Sequence, residues 1–103
     1  MCIKYTTDRE ILDDLDLSGF FVGWPNPPSK DVFVKMLHGS YKVVLAHEKG
    51  KLVGFINSVS DGVLAAYIPL LEVLPTYQGK GVGQELVKRL LSELKHLYMV
   101  DLL

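Results

Sequence analysis

Val73-Leu74-Pro75-Thr76-Tyr77-Gln78-Gly79-Lys80-Gly81-Val82-Gly83-Gln84 is the stretch on which the fold turns: a strand that passes through a glycine-rich turn into a helix. Pro75 breaks the strand, because proline has no amide hydrogen to give to a sheet ladder. The glycines at 79, 81 and 83 are expected to take positive φ and to let a ligand approach the backbone where a side chain would block it. Beyond them Leu86, Val87, Leu90, Leu91 and Leu94 recur at helical spacing, so Gly83 to His96 reads as a helix with one apolar side. The first turn of a helix carries unpaired amide hydrogens and partial positive charge, and a pyrophosphate placed there is bound by main-chain donors. A plain strand-to-helix connection can look the same. The P-loop pattern is absent, since no Gly-Lys is followed by Ser or Thr, and the glycine spacing does not fit the dinucleotide fingerprint.

Upstream, Tyr41 to His47 and Leu52 to Ser60 are β-rich runs joined by Glu48-Lys49-Gly50-Lys51, a hairpin signal. Asp61-Gly62 is a second turn, and Val63 to Val73 reads as a third long strand. Near the start, Ile3 to Thr6 reads as a short strand, and Thr7 with Glu10 fits a capping box for a helix carrying Ile11, Leu12 and Leu15. Ser29 caps a second helix with Val32, Phe33, Met36 and Leu37 on one face and Gly39 at its end. Between these helices, Ser18 to Pro28 is rich in aromatics and glycines and closes with Pro25, Pro27 and Pro28, a stiff loop rather than helix interior. Leu97 to Leu103 reads as one more strand. The order is β-α-α-β-β-β-α-β, an α/β (α+β) sandwich with a mainly antiparallel meander and one crossover.

The 103 residues suffice for one domain, and 49% hydrophobic with 22% charged residues is an ordinary globular composition. A net charge of −1, from 11 basic and 12 acidic side chains, gives no sign of a nucleic-acid or membrane surface. The acids Asp8, Glu10, Asp13, Asp14 and Asp16 crowd the first helix candidate, as a solvated face or as an attraction for a cationic amine. With Cys2 alone, no intramolecular disulfide or cysteine metal cluster can form. His38, His47 and His96 lie on separate elements without ligand spacing. The run from Val63 to Leu71 is too short to cross a bilayer and no signal peptide is evident, so the expected location is the cytoplasm.

The element order and the central motif resemble the GCN5-related N-acetyltransferase (GNAT) superfamily. Gln78-Gly79-Lys80-Gly81-Val82-Gly83 fits that family's (Gln/Arg)-x-x-Gly-x-(Gly/Ala) motif at every fixed position, and Leu71-Glu72-Val73-Leu74-Pro75 looks like its fourth strand and exit. The resemblance covers essentially the whole chain. It implies acetyl-CoA as cosubstrate and no metal. Gly79, Lys80, Gly81, Val82, Gly83 and Gln84 would hold the pyrophosphate through backbone amides, with Gln78 starting the turn. Backbone groups of Leu71 and Val73 would meet the pantetheine arm and thioester, in the wedge where the family's fourth and fifth strands splay. The product would be an acetylated primary amine of a small molecule or protein.

Glu72 is the candidate catalytic base, or else an outward-facing strand carboxylate. Tyr98 could donate a proton or simply pack in its strand. Trp24 could line an acceptor pocket or the core. A full family member continues into another helix and a strand pair, so the ending at Leu103 implies C-terminal truncation. The apolar run Leu97, Tyr98, Val100, Leu102 and Leu103 would then leave a bare strand edge, for which a second copy, giving a homodimer, is the nearest cover. A CoA-binding but inactive fragment, or a dimerising structural fragment, are the competing functions.

Overall fold

The apolar runs in the middle of the chain become its two central strands, β2 (Val43–Glu48) and β3 (Lys51–Asn57). They are joined by Lys49 and Gly50, whose φ angles of 52° and 77° give the twist that suits a two-residue hairpin. β1 (Lys4–Thr6) pairs outside β2 and β6 (Leu71–Val73) outside β3, giving an antiparallel sheet in the order β1-β2-β3-β6. The computed structural model describes residues 2–102, so the expectations that touch Leu103 lie outside the described residues.

Both faces of this sheet are covered, which is why its strands read as near-continuous apolar runs rather than alternating ones. On one face Val44, Ala46, Val53 and Ile56 pack against Leu86, Leu90 and Leu94 of α2 (Val82–Leu94). On the other, Val43, Leu45 and Phe55 pack against Leu12, Phe21 and, from α1 (Lys30–Gly39), Phe33 and Leu37. Ser29 caps α1 as expected, accepting from the Val32 amide at 3.3 Å. Val32 itself is exposed, so the buried stripe is centred on Phe33 and Leu37.

Two expectations about the elements change. The first helix is a six-residue 3₁₀ segment, Arg9–Asp14, capped by Asp8 rather than by a Thr7–Glu10 box. Arg9 turns away from it and donates to the carbonyls of Leu37, His38, Ser40 and Tyr41 at 2.7–3.2 Å, satisfying the end of α1. The acids around it, Asp8, Glu10, Asp13, Asp14 and Asp16, are all exposed, a solvated face.

The long third strand is broken. Its first half, β5 (Ala65–Ile68), leaves the main sheet and pairs with β4 (Val59–Ser60) and, in parallel, with β7 (Met99–Leu102). Pro69 cannot donate to a ladder, and it sits at the break. Asn57 pairs with Leu70 and Val59 with Tyr67, so Ser58 alone lies opposite Ile68 and Pro69, a β-bulge. Asn57, buried to 2% exposure, fixes the bulge. Its backbone donates to the Leu70 carbonyl, and its side-chain Oδ1 accepts from the Leu70 amide at 3.1 Å. Its Nδ2 reaches Ser40 Oγ and Met36 Sδ, both at 3.2 Å.

Candidate functional site

The bulge separates β6 from its neighbour. β7 runs beside β5 as far as Ile68 opposite Leu102, and among the described residues β6 has β3 on one side and no strand on the other. Leu74 donates to Val53, and Asn57 to Leu70, so the alternate pairs 53–74, 55–72 and 57–70 are the hydrogen-bonded ones. The peptide groups of Leu71 and Val73 therefore face the open edge, while those of Glu72 are used by Phe55. An exposed pair of strand amides and carbonyls is the group that an amide-containing ligand can match.

Past β6, Pro75–Tyr77 makes one 3₁₀ turn and the chain enters the glycine segment. Gly79 and Gly81 have φ of 77° and 84°, the left-handed region that side chains disfavour. A Cβ built on either meets nothing within 4 Å, so the space in front of both is open to a ligand. Gly81 is the residue that precedes α2, and that helix start has no side-chain cap. Gly83 departs from expectation. It is helical, and a Cβ there would meet Val73 Cγ2 at 3.8 Å, an ordinary contact. Its lack of a side chain keeps the groove clear and is not a conformational need.

The turn is held from two sides. Gln78 Nε2 donates to the Val73 carbonyl at 2.9 Å, which closes the turn back onto β6. Tyr77 donates its hydroxyl to Glu48 Oε1 at 2.7 Å, and the Cys2 amide donates to Oε2 at 2.7 Å, tying the turn to the β2–β3 hairpin. The Tyr77 bond, and after it the Cys2 bond, hold the Glu48 carboxyl below its ordinary range, and the same carboxylate raises the Tyr77 hydroxyl.

Two adjoining hollows result. One, about 420 Å³, is lined by Val73, Tyr77, Gln78, Gly79, Gly81, Val82, Gly83 and Gln84. The other, about 710 Å³ and nearly all apolar, runs between β6 and α2 past Leu71, Gly83, Gln84, Val87, Lys88 and Leu91. Of the expected cofactor-binding residues, only Lys80 lines neither hollow. Val82 contributes backbone, because its side chain is buried in the core.

Glu72 is not with them. Strand alternation sends Leu71 and Val73 toward α2 and Glu72 to the opposite face, with Phe55 and the aromatic loop. There its Oε1 accepts from the Phe21 amide at 3.0 Å, while Oε2 is buried without a hydrogen-bond partner. Phe21 has φ of 62°, a position that costs a bulky residue about 1–3 kcal/mol. It is kept there by burial and by edge contacts, ring centroids 4.9 Å from both Phe33 and Trp24. Trp24 lies at the rim, 46% exposed. Tyr98 is 83% exposed and does not pack as a strand tyrosine would. His96 is exposed and bonds Tyr41 at 2.9 Å. Among the described residues no group of three or more His, Cys, Asp and Glu could hold a metal ion.

The sequence reading missed Asn57, Glu48, Tyr77 and Phe21. Only Pro69 signalled the bulge. Nothing local to the other four distinguishes them from ordinary strand and loop residues.

The pattern of the Acetyltransferase (GNAT) family matches residues 9–102. The fold superposes on a candidate acetyltransferase from Deinococcus radiodurans R1 with a TM-score of 0.89 and 45% identity, covering 98% of this chain and 71% of that one. A GNAT-family acetyltransferase from Streptococcus pneumoniae TIGR4 gives 0.70 and 30%, covering 99% of this chain and 74% of that one. An uncharacterized N-acetyltransferase of Pyropia yezoensis, ycf52, is 32% identical over 77 residues, which is 72% of this chain and 44% of that protein. The chain thus spans about half the length of the curated relatives it matches. With the glycine turn before α2 and the open edge of β6 in one groove, and a family match over nearly its whole length, this chain belongs to the acetyltransferase (GNAT) family.

Proposed function

We propose that this chain carries the acetyl-CoA site of an N-acetyltransferase whose acceptor is a primary amine on a small molecule or a protein. The observation that carries the reading is the open space in front of Gly79 and Gly81, at the start of α2 and continuous with the groove along β6. The pieces fit coenzyme A in kind. The amides at the start of α2 suit a pyrophosphate, the outward peptide groups of Leu71 and the outward amide of Val73 suit the amides of the pantetheine arm, and Leu71, Val87 and Leu91 supply apolar walls. Bound acetyl-CoA supplies the acetyl group as a thioester.

The residues of the chain do the rest. Backbone donors on the β6 edge would polarise the thioester oxygen. The amine nitrogen would then form its bond to the acetyl carbon as the carbon–sulfur bond breaks, coenzyme A leaving as its thiolate, and the amine would release a proton. Glu72 would take that proton at Oε2 through a water, because Oε2 is buried without a partner and Oε1 is already engaged by Phe21. Calorimetry with coenzyme A tests the binding half. Thiol release from acetyl-CoA with a panel of small and peptide amines tests the transfer. No coenzyme A binding at millimolar concentration would overturn the reading.

A further inference from the structure

The segment from Ser18 to Trp24 crosses the sheet face opposite α2, and two contacts fasten it to the end of β6. Gly19 packs so tightly that a Cβ there would come within 3.0 Å of Leu74 Cδ2. The second is the bond from the Phe21 amide to Glu72 Oε1. Phe21 occupies the left-handed region without being glycine, so this peptide would relax elsewhere unless something held it. Its ring is buried among Phe33, Phe55 and Trp24, which anchors the side chain but leaves the direction of the amide open. The carboxylate holds that amide, while the Trp24 amide, donating to the Phe21 carbonyl at 3.2 Å, closes the turn beyond it. Immediately beyond, Val22 and Trp24 stand exposed at 78% and 46%, on the aromatic loop that Glu72 joins to β6.

We propose that Glu72 is a positioning residue: its Oε1 latches the Phe21 peptide, and through it sets the Val22–Trp24 tip as a specificity-determining wall for the acceptor. This rests on the acetyltransferase reading for the word acceptor, but not for the latch. The latch and the base use different oxygens of one carboxylate. A single side chain therefore ties acceptor recognition to the strand whose other face lines the cofactor groove. Loss of the latch lets the Phe21 peptide leave the left-handed region, and the turn carrying Val22 and Trp24 loses its fixed place, while the rings of Phe20, Phe33 and Phe55 stay packed.

Trp24, the one tryptophan in the chain, reports the tip directly. The test compares Glu72→Ala, Glu72→Asp and Glu72→Gln in the full chain, by acrylamide quenching of Trp24 and by far-ultraviolet dichroism. Glutamine keeps an oxygen acceptor at the same reach, and aspartate keeps the charge but falls one methylene short. The latch predicts wild-type quenching for Gln, and quenching raised about twofold for Asp and Ala, with helix content unchanged. If Ala does not fold, Asp against Gln carries the comparison. Where turnover is measurable, the acceptor KM of Asp rises roughly tenfold, the worth of one hydrogen bond to a charged group. Gln lowers kcat and leaves that KM near wild type. Equal quenching in wild type and Asp, or a Gln variant that behaves like Ala, overturns the latch. Neither result bears on coenzyme A binding, which calorimetry reads separately.

Discussion

The backbone amide of Phe21 donates to Glu72 Oε1 at 3.0 Å, across 51 residues of sequence. It is the point where the aromatic loop and the strand beside the β6–α2 groove meet, and it makes Glu72 part of the loop's structure as well as of the proposed chemistry. The residues around the groove carry their own consequences.

Gly81→Val is expected to lower coenzyme A affinity by at least tenfold while leaving the protein folded. The left-handed conformation at 81 costs a side chain about 1–2 kcal/mol, and no neighbouring atom lies within 4 Å of the new Cβ to add a clash. The branched chain instead fills the space in front of the helix start. Calorimetry and a thermal melt check the two halves, and unchanged affinity in a folded variant refutes the site.

Gln78→Ala removes the 2.9 Å bond to the Val73 carbonyl and nothing buried. Stability should fall by no more than about 1 kcal/mol. Coenzyme A affinity should fall several-fold, because the turn is no longer closed onto β6. An affinity equal to wild type would show that Pro75 and Tyr77 suffice to set the turn.

Asn57→Ala should be the most destabilising of these changes. It orphans the Leu70 amide in the bulge and removes a partner from Ser40, and a buried unsatisfied group costs about 1–3 kcal/mol. In a domain of this size that is a fall in Tm of roughly 4–8 °C for each kcal/mol. Urea unfolding measures it. A loss below about 0.5 kcal/mol would mean the bulge holds without its asparagine.

Asp16 titrates at about 2 instead of 3.8, held down by the Ser18 amide first, then by the Ser18 hydroxyl and Lys51. Because the folded value is the lower one, this contribution is present above about pH 4 and is lost as pH falls toward 2. Asp16→Asn should therefore be less stable than wild type at pH 7, with the gap closing across that window. Parallel stability curves from pH 7 to pH 2 would remove Asp16 from the acid limb.

Among the described residues β7 is an outer strand of the smaller sheet, with Met99 56% exposed and Tyr98 83% exposed just before it. We expect a second copy to cover that edge, so light scattering at micromolar concentration should give a dimer mass. A monomer there ends the idea.

The glycine turn, the two central strands, α1 and α2 were all legible in the sequence. Each depends on local chemistry: a proline that cannot donate, glycines before a capless helix start, and leucines at helical spacing. The same locality explains the errors. The first helix shrank to the 3₁₀ segment that Arg9 begins, and the Arg9 side chain serves the carbonyls at the end of α1, about thirty residues away. The run from Val63 to Val73 has the composition of one strand, and only pairing with β3 on one stretch and β7 on the other splits it at Pro69.

The sequence by itself therefore determined where the glycine turn and the uncapped start of α2 lie, since a turn at glycines needs no distant partner. It also determined the family. Only the tertiary structure decided which way β6 faces, that the peptide groups of Leu71 and Val73 point to its open edge, and that Glu72 is bound to Phe21. Strand alternation and a one-residue bulge set those directions, and a bulge is fixed by contacts between Asn57 and Leu70 that no window of neighbouring residues contains.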